Sequence, residues 1–596
     1  MQKRHLFLLS TMALFACHLA PQTFPASEPT EVQTQESKSR LRGREDAFAL
    51  ANTELKDADT KQALGNAAFW MEQAAKQGEA HAMGGLGELY ATGKGIEKDA
   101  NLAEAYTRMG AAAGDVSSEV RLGDFYRDGL SVPRDDNKAI HWYTRAARQD
   151  NVSAMMRLGE LYRGNAHFPP DYLKALEWYA KAAALGNIEA RYYVGWLYAR
   201  GVTAKQPAKL AVVYLEEAAA NGYPDGYAEL GDLYLSGKMG EHRVKEAITY
   251  YELGSKNGSA KSQYTLGILY NMGTMVPKDM QKSLLYLKQA ADQKWVFAQY
   301  RLASLYADGG DVPYDPKKAM QYYEAAAKGG FAAAQSDIGD ALLEGWGGYA
   351  RDLPLAVAWY QKAADQGHPY ALYMLSVMYR YGYGVEKNEV TSSSYFGKGQ
   401  TQKNSALAEY QVGRRFVWGE GLPRDPNKGA EWVTRAATSG IASAEALLGD
   451  LYHRGYGVEQ DYNKAFYWYH QAGERGSTYG LYSEAVMLEN GEGRAVNEVE
   501  AARLYSQTSR RGMQAAQYAF GRQYLEGRGV KQSDARAYAW WHVAIPDAYE
   551  AASPDMTFIL SRMSPLELQN GVALAEYFYR YHPDSLRYHL EQSAGP

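Results

Sequence analysis

The sequence predicts an all-α chain, a right-handed solenoid of about 13–14 helix-turn-helix repeats of 36–37 residues, and three observations predict it. A leucine-glycine pair followed by an apolar residue and an aromatic returns at Gly87, Gly123, Gly159, Gly195, Gly231, Gly267, Ala303 and Gly339, each 36 residues after the last. Two steps of 37 lead to Ser376 and Gly413, and steps of 36 resume through Gly449, Ala485 and Gly521. In many repeats the residues sixteen, nineteen and twenty after the anchor read Ala, aromatic, aromatic, as in Ala139, Trp142 and Tyr143, or Ala465, Trp468 and Tyr469. Between the two patterns stands a Gly-x-Gly followed by acidic residues, "LYATGKGIEKD" at 89–99 and "LYHRGYGVEQD" at 451–461.

The elements follow in chain order. Residues 1–16, "MQKRHLFLLSTMALFA", carry Lys3 and Arg4 before an apolar run too short to span a bilayer, which reads as a signal peptide. Cys17, the sole cysteine, follows directly, so no intrachain disulfide is available. Residues 17–45, with Pro21, Pro25 and Pro29 among polar side chains, read as the start of the processed chain and a flexible tether.

Residues 46–550 hold the repeats, with a degenerate copy near Ala51 as the end unit. In each, spacings of three, four and seven put the apolar residues on one helical stripe. The first helix ends at the Gly-x-Gly, where glycine adopts left-handed angles without a Cβ clash, and the second begins at a capping Asp or Asn such as Asp99, Asp279, Asp425 or Asp461. No repeat buries its stripe alone, so stacking is required, with the first helices lining the inner surface. Residues 551–596 form the terminal cap and tail. Ser564, Pro565 and Glu567 supply the start signal of a last helix.

These linked motifs resemble the Sel-like repeats, a branch of the tetratricopeptide-like solenoids that pairs "LG.LY..G.GV..D" with "A..WY.KAA..G". The likeness runs over about residues 47–550. It implies a non-enzymatic scaffold that binds partners on a concave groove. Ala303, Ser376 and Ala485 replace the anchor glycine, and "SSSYFGKGQTQKN" at 392–404 lacks the small pair, so irregular packing is expected over 376–413. Cys17 after "LFA" resembles the lipidated cysteine of bacterial lipoproteins, which implies a cell-envelope location, in the periplasm and anchored to the outer membrane, His18 standing where aspartate would signal inner-membrane retention. Phe15 departs from that pattern, which leaves plain secretion as the alternative.

Chemistry is sparse. The 64 Lys and Arg are dispersed against 69 Asp and Glu, for a net charge of −5, so nucleic acid is not an expected partner. No zinc-protease, Walker or Gly-x-Ser-x-Gly motif occurs, and the six-fold copying of the Gly-x-Gly argues against a phosphate loop. His141, His470 and His542 sit beside the aromatic stripe and read as packed imidazoles. No catalytic residue, metal or cofactor is therefore expected.

One pattern suggests recognition. Three residues before the anchor stand Tyr192, Tyr264, Tyr300, Tyr373, Tyr410, Tyr482 and Tyr518, at the margin of the buried stripe. Phenols there suit a groove for peptide or sugar, with packing between adjacent repeats as the weightier competing reading. Glu88, Asp124, Glu160, Asp232, Asp340 and Asp450, one after the anchor, are expected to steer a basic partner. Other envelope proteins are the expected partners. Polysaccharide, bound to assist exopolysaccharide export, is the alternative, and the membrane enters through the lipid anchor alone.

Overall fold

Helix Ala80–Thr92 stops because Gly93 takes φ 72° and its N–H closes on the Leu89 carbonyl. Helix Ala100–Ala112 starts on Asp99, whose carboxylate accepts from the N–H groups of Asn101 and Leu102. The pair recurs along the chain. Gly273, Gly382, Gly455 and Gly491 close first helices at φ 65° to 74°, and Asp279, Asn388, Asp461 and Asn497 cap the helices that follow. The second glycine of the Gly-x-Gly has another task. A Cβ on Gly95, Gly384, Gly457, Gly493 or Gly529 would run into backbone of Leu64, Leu353, Pro426, Tyr462 or Glu498, in each case 31 residues earlier. The loop therefore rests on the first turn of the preceding repeat's second helix, and only glycine lets it approach.

The computed structural model describes residues 44–56, 61–130, 132–165, 168–202, 207–238, 240, 242–544 and 554–581. The predicted signal peptide, Cys17 and nearly all of the tether lie outside the described residues. Among the described residues there are 30 α-helices and no strand. The chain divides into two compact halves, Met1–Tyr250 and Tyr251–Pro596, and within each, helical pairs pack in series.

The anchor and the aromatic twenty or twenty-one residues later form one joint. A Cβ on Gly123, Gly159, Gly339 or Gly449 would strike the ring of Tyr143, Tyr179, Tyr360 or Tyr469. These rings are buried, as are the leucines that precede the anchors, including Leu86, Leu122, Leu158, Leu302 and Leu448. Each such side chain contributes about 1.5–3 kcal/mol on leaving water. Many of the 49 tyrosines work in a second joint at the rim. Tyr90 stacks on Tyr106, Tyr270 on Tyr286 and Tyr306 on Tyr322, at centroid distances of 5.7, 6.0 and 6.0 Å. A lysine from the second helix covers the same rings in several repeats, as Lys282 does Tyr270 and Lys318 does Tyr306, at 5.0 and 4.4 Å.

The last helix, Pro565–Tyr581, begins as expected. The Ser564 N–H donates to the Glu567 carboxylate at 2.8 Å, and the Glu567 N–H returns a bond to the Ser564 hydroxyl at 3.3 Å, a reciprocal capping box. It packs on helix Asp534–Ala544 through Trp540 and Phe578, stacked at 4.3 Å.

The stretch 376–413 departs from the template as expected. Helix Glu389–Gln400 buries only Ser392 and Gly399, and Asn404 turns the chain with φ 64° into helix Ser405–Trp418. That helix packs chiefly on its own repeat's second helix, Pro426–Thr438; toward the preceding repeat it packs more on the first helix, Pro369–Tyr381, than on the second helix between them.

Candidate functional site

Of the seven tyrosines before the anchors, Tyr192, Tyr264, Tyr300 and Tyr373 reach from one first helix into the next repeat. Tyr192 and Tyr373 are buried, with exposures of 8% and 0%, and are unavailable to a ligand as they stand. Tyr192 lies 4.5 Å from the Tyr223 ring, and its hydroxyl donates to buried Glu229 at 3.4 Å. Tyr373 is walled in by Phe396 and Trp432 at 5.5 and 5.3 Å, because Gly399 stands where a larger residue would exclude the ring. For these two the packing role holds in place of the groove role.

The other five keep part of each ring at the surface. Tyr264 meets Phe297 at 6.2 Å, Tyr482 meets Tyr505 at 5.9 Å, and Tyr410 packs against the core of its repeat. Tyr300 packs between Tyr323 and Phe331 and hydrogen bonds Asp337, while the Tyr518 hydroxyl donates to Asp555. Burial raises the pKa of Tyr264, Tyr300, Tyr482 and Tyr518, so they remain neutral phenols.

The carboxylates after the anchors are not a bare acidic strip. Arg121 pairs with Glu88 at 2.7 Å, and Arg157 with Asp124 at 3.4 Å and Glu160 at 3.6 Å. Asp124 also accepts from the Tyr143 hydroxyl at 2.7 Å, and Asp450 from Tyr469 and Tyr479 at 2.6 and 2.9 Å. The expected attraction for a basic partner is reduced at Glu88, Asp124, Glu160 and Asp340, which arginines pair, while Asp450 accepts hydrogen bonds from phenols and keeps its charge. The signal was readable as Arg121 and Arg157, each 33 residues after its acid.

At the next step of this ladder in the first half, the residues change. Tyr193 stands where the arginine would be, and Trp196 stands where the acid would be. Tyr193 stacks on buried Tyr179 at 4.8 Å. The Arg163 guanidinium lies over Tyr193 at 4.7 Å and Trp196 at 5.6 Å, and Arg200 covers Trp196 at 3.6 Å while pairing with Glu229 at 3.3 Å. Beside them a cavity of about 430 Å³ opens among Met156, Arg157, Glu160, Asn187, Glu189 and Tyr193.

Tyr172 meets Trp196 edge to face at 6.5 Å and belongs to a second concavity, of about 590 Å³, with Phe168, Pro169, Pro170 and Leu173. Tyr172 is 41% exposed and Leu173 58%. The patch offers flat apolar rings and fixed cations on rigid helices, which suits an extended peptide. No nucleophile-base pair lines either cavity, and none of the predicted tyrosines except buried Tyr192 touches the patch.

The second half carries a titratable cluster that the sequence did not announce. Asp340 accepts from Tyr360 and Tyr370 at 2.5 and 2.9 Å and pairs with Arg415 at 2.8 Å. Arg415, 8% exposed, also holds Glu344 at 2.5 Å and bonds the Tyr370 hydroxyl. Burial and the neighbouring Asp340 charge push the Asp337 carboxyl up to about 7, opposed by the Tyr300 hydrogen bond and the Arg415 charge. Burial lowers the His368 imidazole. Among the described residues no group of His, Cys, Asp and Glu is arranged to hold a metal ion, and no helix is long and apolar enough to cross a membrane.

The chain is similar to several known proteins. A protective antigen of uropathogenic Escherichia coli displaying an SLR fold is 22% identical, with a TM-score of 0.35 and coverage of 87% of this chain and 96% of that one. A Sel1 repeat protein from Oxalobacter formigenes is 28% identical, with a TM-score of 0.33 and coverage of 51% and 88%. Chitin synthase regulatory factor 3 of Schizosaccharomyces pombe is 30% identical over 120 residues, 20% of this chain, and the chain spans only 13% of that relative's length. The Sel1 repeat family model matches fourteen segments, from 47–79 and 80–115 to 480–513 and 514–545. Thirteen fall on the predicted anchors, and the fourteenth is the degenerate copy near Ala51. With matches along most of its length, the chain belongs to the Sel1 repeat family.

Proposed function

We propose that the protein is a non-enzymatic scaffold of the bacterial cell envelope that binds a segment of another protein on the first-helix face around Tyr193 and Trp196. The observation that carries this reading is a pair of concavities, one holding Tyr172 beside Trp196 and the other holding Tyr193, with Arg163 over both Tyr193 and Trp196, so that rings and cations replace the self-neutralising ladder of the neighbouring repeats. Crosslinking in cells, with Trp196→Ala beside the wild type, tests it. A defined protein captured by the wild type and lost from the variant supports the scaffold; equal capture by both removes the patch from the function.

Placement in the envelope rests on the sequence of residues 1–17, and Cys17 is proposed as the lipidated residue of an outer-membrane anchor. Labelling with a palmitate analogue should mark the wild type and not Cys17→Ala, and an unlabelled wild type would leave plain secretion. Polysaccharide is the second reading, because Tyr172 presents a ring at the surface of the larger concavity. Fluorescence changes on titration with oligosaccharides, without capture of any protein, would favour it.

A further inference from the structure

Arg127 and Arg163 occupy the same position in successive repeats, four residues after Gly123 and Gly159. Arg127 is saturated with carboxylates. It forms a bidentate pair with Asp128 at 2.7 and 2.9 Å, and Asp124 and Glu160 lie at 3.4 and 3.8 Å. One repeat later those three positions are Glu160, Gly164 and Trp196. Glu160 is directed at Arg127 and Arg157, glycine has no side chain, and Trp196 offers a ring in place of a charge. Arg163 thus forms no ion pair with any described residue; it is half-buried against the rings of Tyr193 and Trp196, hydrogen bonds the Tyr193 side chain and feels the Glu160 charge from a distance. A guanidinium held in this way keeps the N–H donors not given to Tyr193 for a planar acid.

We infer that Arg163 receives a single carboxylate from an acidic side chain of a bound peptide, whose apolar neighbours lie on Trp196, Tyr172 and Leu173. The surrounding charge selects one negative group over many. Glu160 and the exposed Glu189 line the cavity beside Tyr193 and would repel a polyanion such as an acidic polysaccharide or a phosphorylated chain. This inference rests on the peptide-binding reading above and specifies the ligand it selects.

The test uses the folded full-length protein and three capped, fluorescent peptides of alternating leucine, phenylalanine and serine, with one central glutamate, glutamine or phosphoserine, and an alginate oligosaccharide as the polyanion. The glutamate peptide should bind about tenfold or more tighter than the glutamine peptide at low salt, the worth of one charge-assisted pair. Arg163→Gln should erase that preference while Arg127→Gln preserves it. Trp196→Glu, which restores the acid of the neighbouring repeat, should erase it with Arg163 still present. Equal affinity of the two peptides for the wild type, a preference that survives in Arg163→Gln, or tighter binding of the phosphoserine peptide or alginate each overturns the inference and leaves a peptide groove standing. Failure of every peptide to bind overturns the groove as well.

Discussion

Asp124 and Asp340 stand at the same position of their repeats, one in each half, and both are shared between tyrosine hydroxyls and arginine. Around Asp124 the arginines come from its own and the next repeat and stay partly in water, at 22% and 39% exposure. Around Asp340 the arginine comes from two repeats onward and is buried. The cause lies in the repeat between. Helix Glu389–Gln400 has Gly399 and few apolar side chains, so the first helices on either side meet and Arg415 reaches across. One carboxylate position therefore serves as a surface ladder where the repeat is regular and as an internal lock where it is not.

The largest effect should come from opening that lock. Arg415→Ala leaves Asp340 and Glu344 without their cation and should cost about 3–5 kcal/mol, read from the urea midpoint of the full chain. Arg127→Ala, on the surface ladder, should cost no more than about 1 kcal/mol. Equal losses would break the comparison.

A smaller difference should separate two glycines that share a positive φ. Gly457→Ala forces a methyl against the Pro426 carbonyl at φ 74° and should cost about 2–4 kcal/mol. Gly186→Ala, at φ 90° in open space, should cost about 1 kcal/mol.

The last effect is a pH dependence beside the lock. The Asp337 carboxyl holds its proton more tightly in the folded chain, at about 7, than an ordinary carboxylate does. Its contribution is therefore complete in acid and is lost as pH rises through 7. Asp337→Asn should flatten the fall of the unfolding midpoint between pH 5 and pH 8 and stabilise the chain at pH 8 by about 2 kcal/mol, after allowance for partial solvation. A variant that keeps the wild-type slope would place the titration elsewhere.

Sequence made the local grammar legible. Asp99, Gly93 and the Ser564–Glu567 box act on backbone within four residues, so their roles follow from type and position. Whether a tyrosine before the anchor is open or sealed depends on the neighbouring repeat, and Tyr373 is sealed by Gly399 and Trp432. Arg415 escaped notice because its partner Glu344 lies 71 residues away, beyond the single-repeat spacing that the pattern reveals. Arg163 was hidden differently. Nothing about it is unusual until its repeat is subtracted from the one before, when Gly164 and Trp196 appear as two missing acids.

The glycine that rests on the previous helix sets a rule for lengthening or shortening the chain. Excising residues 442–477 would bring Gly493 onto Pro426, the seat Gly457 now occupies, so a whole module could be removed with the seam still matched. The same excision between Asp340 and Arg415 would strand a guanidinium that measures its reach in two modules. Growth and loss by single duplications are thus open to most of this protein and closed to that one stretch.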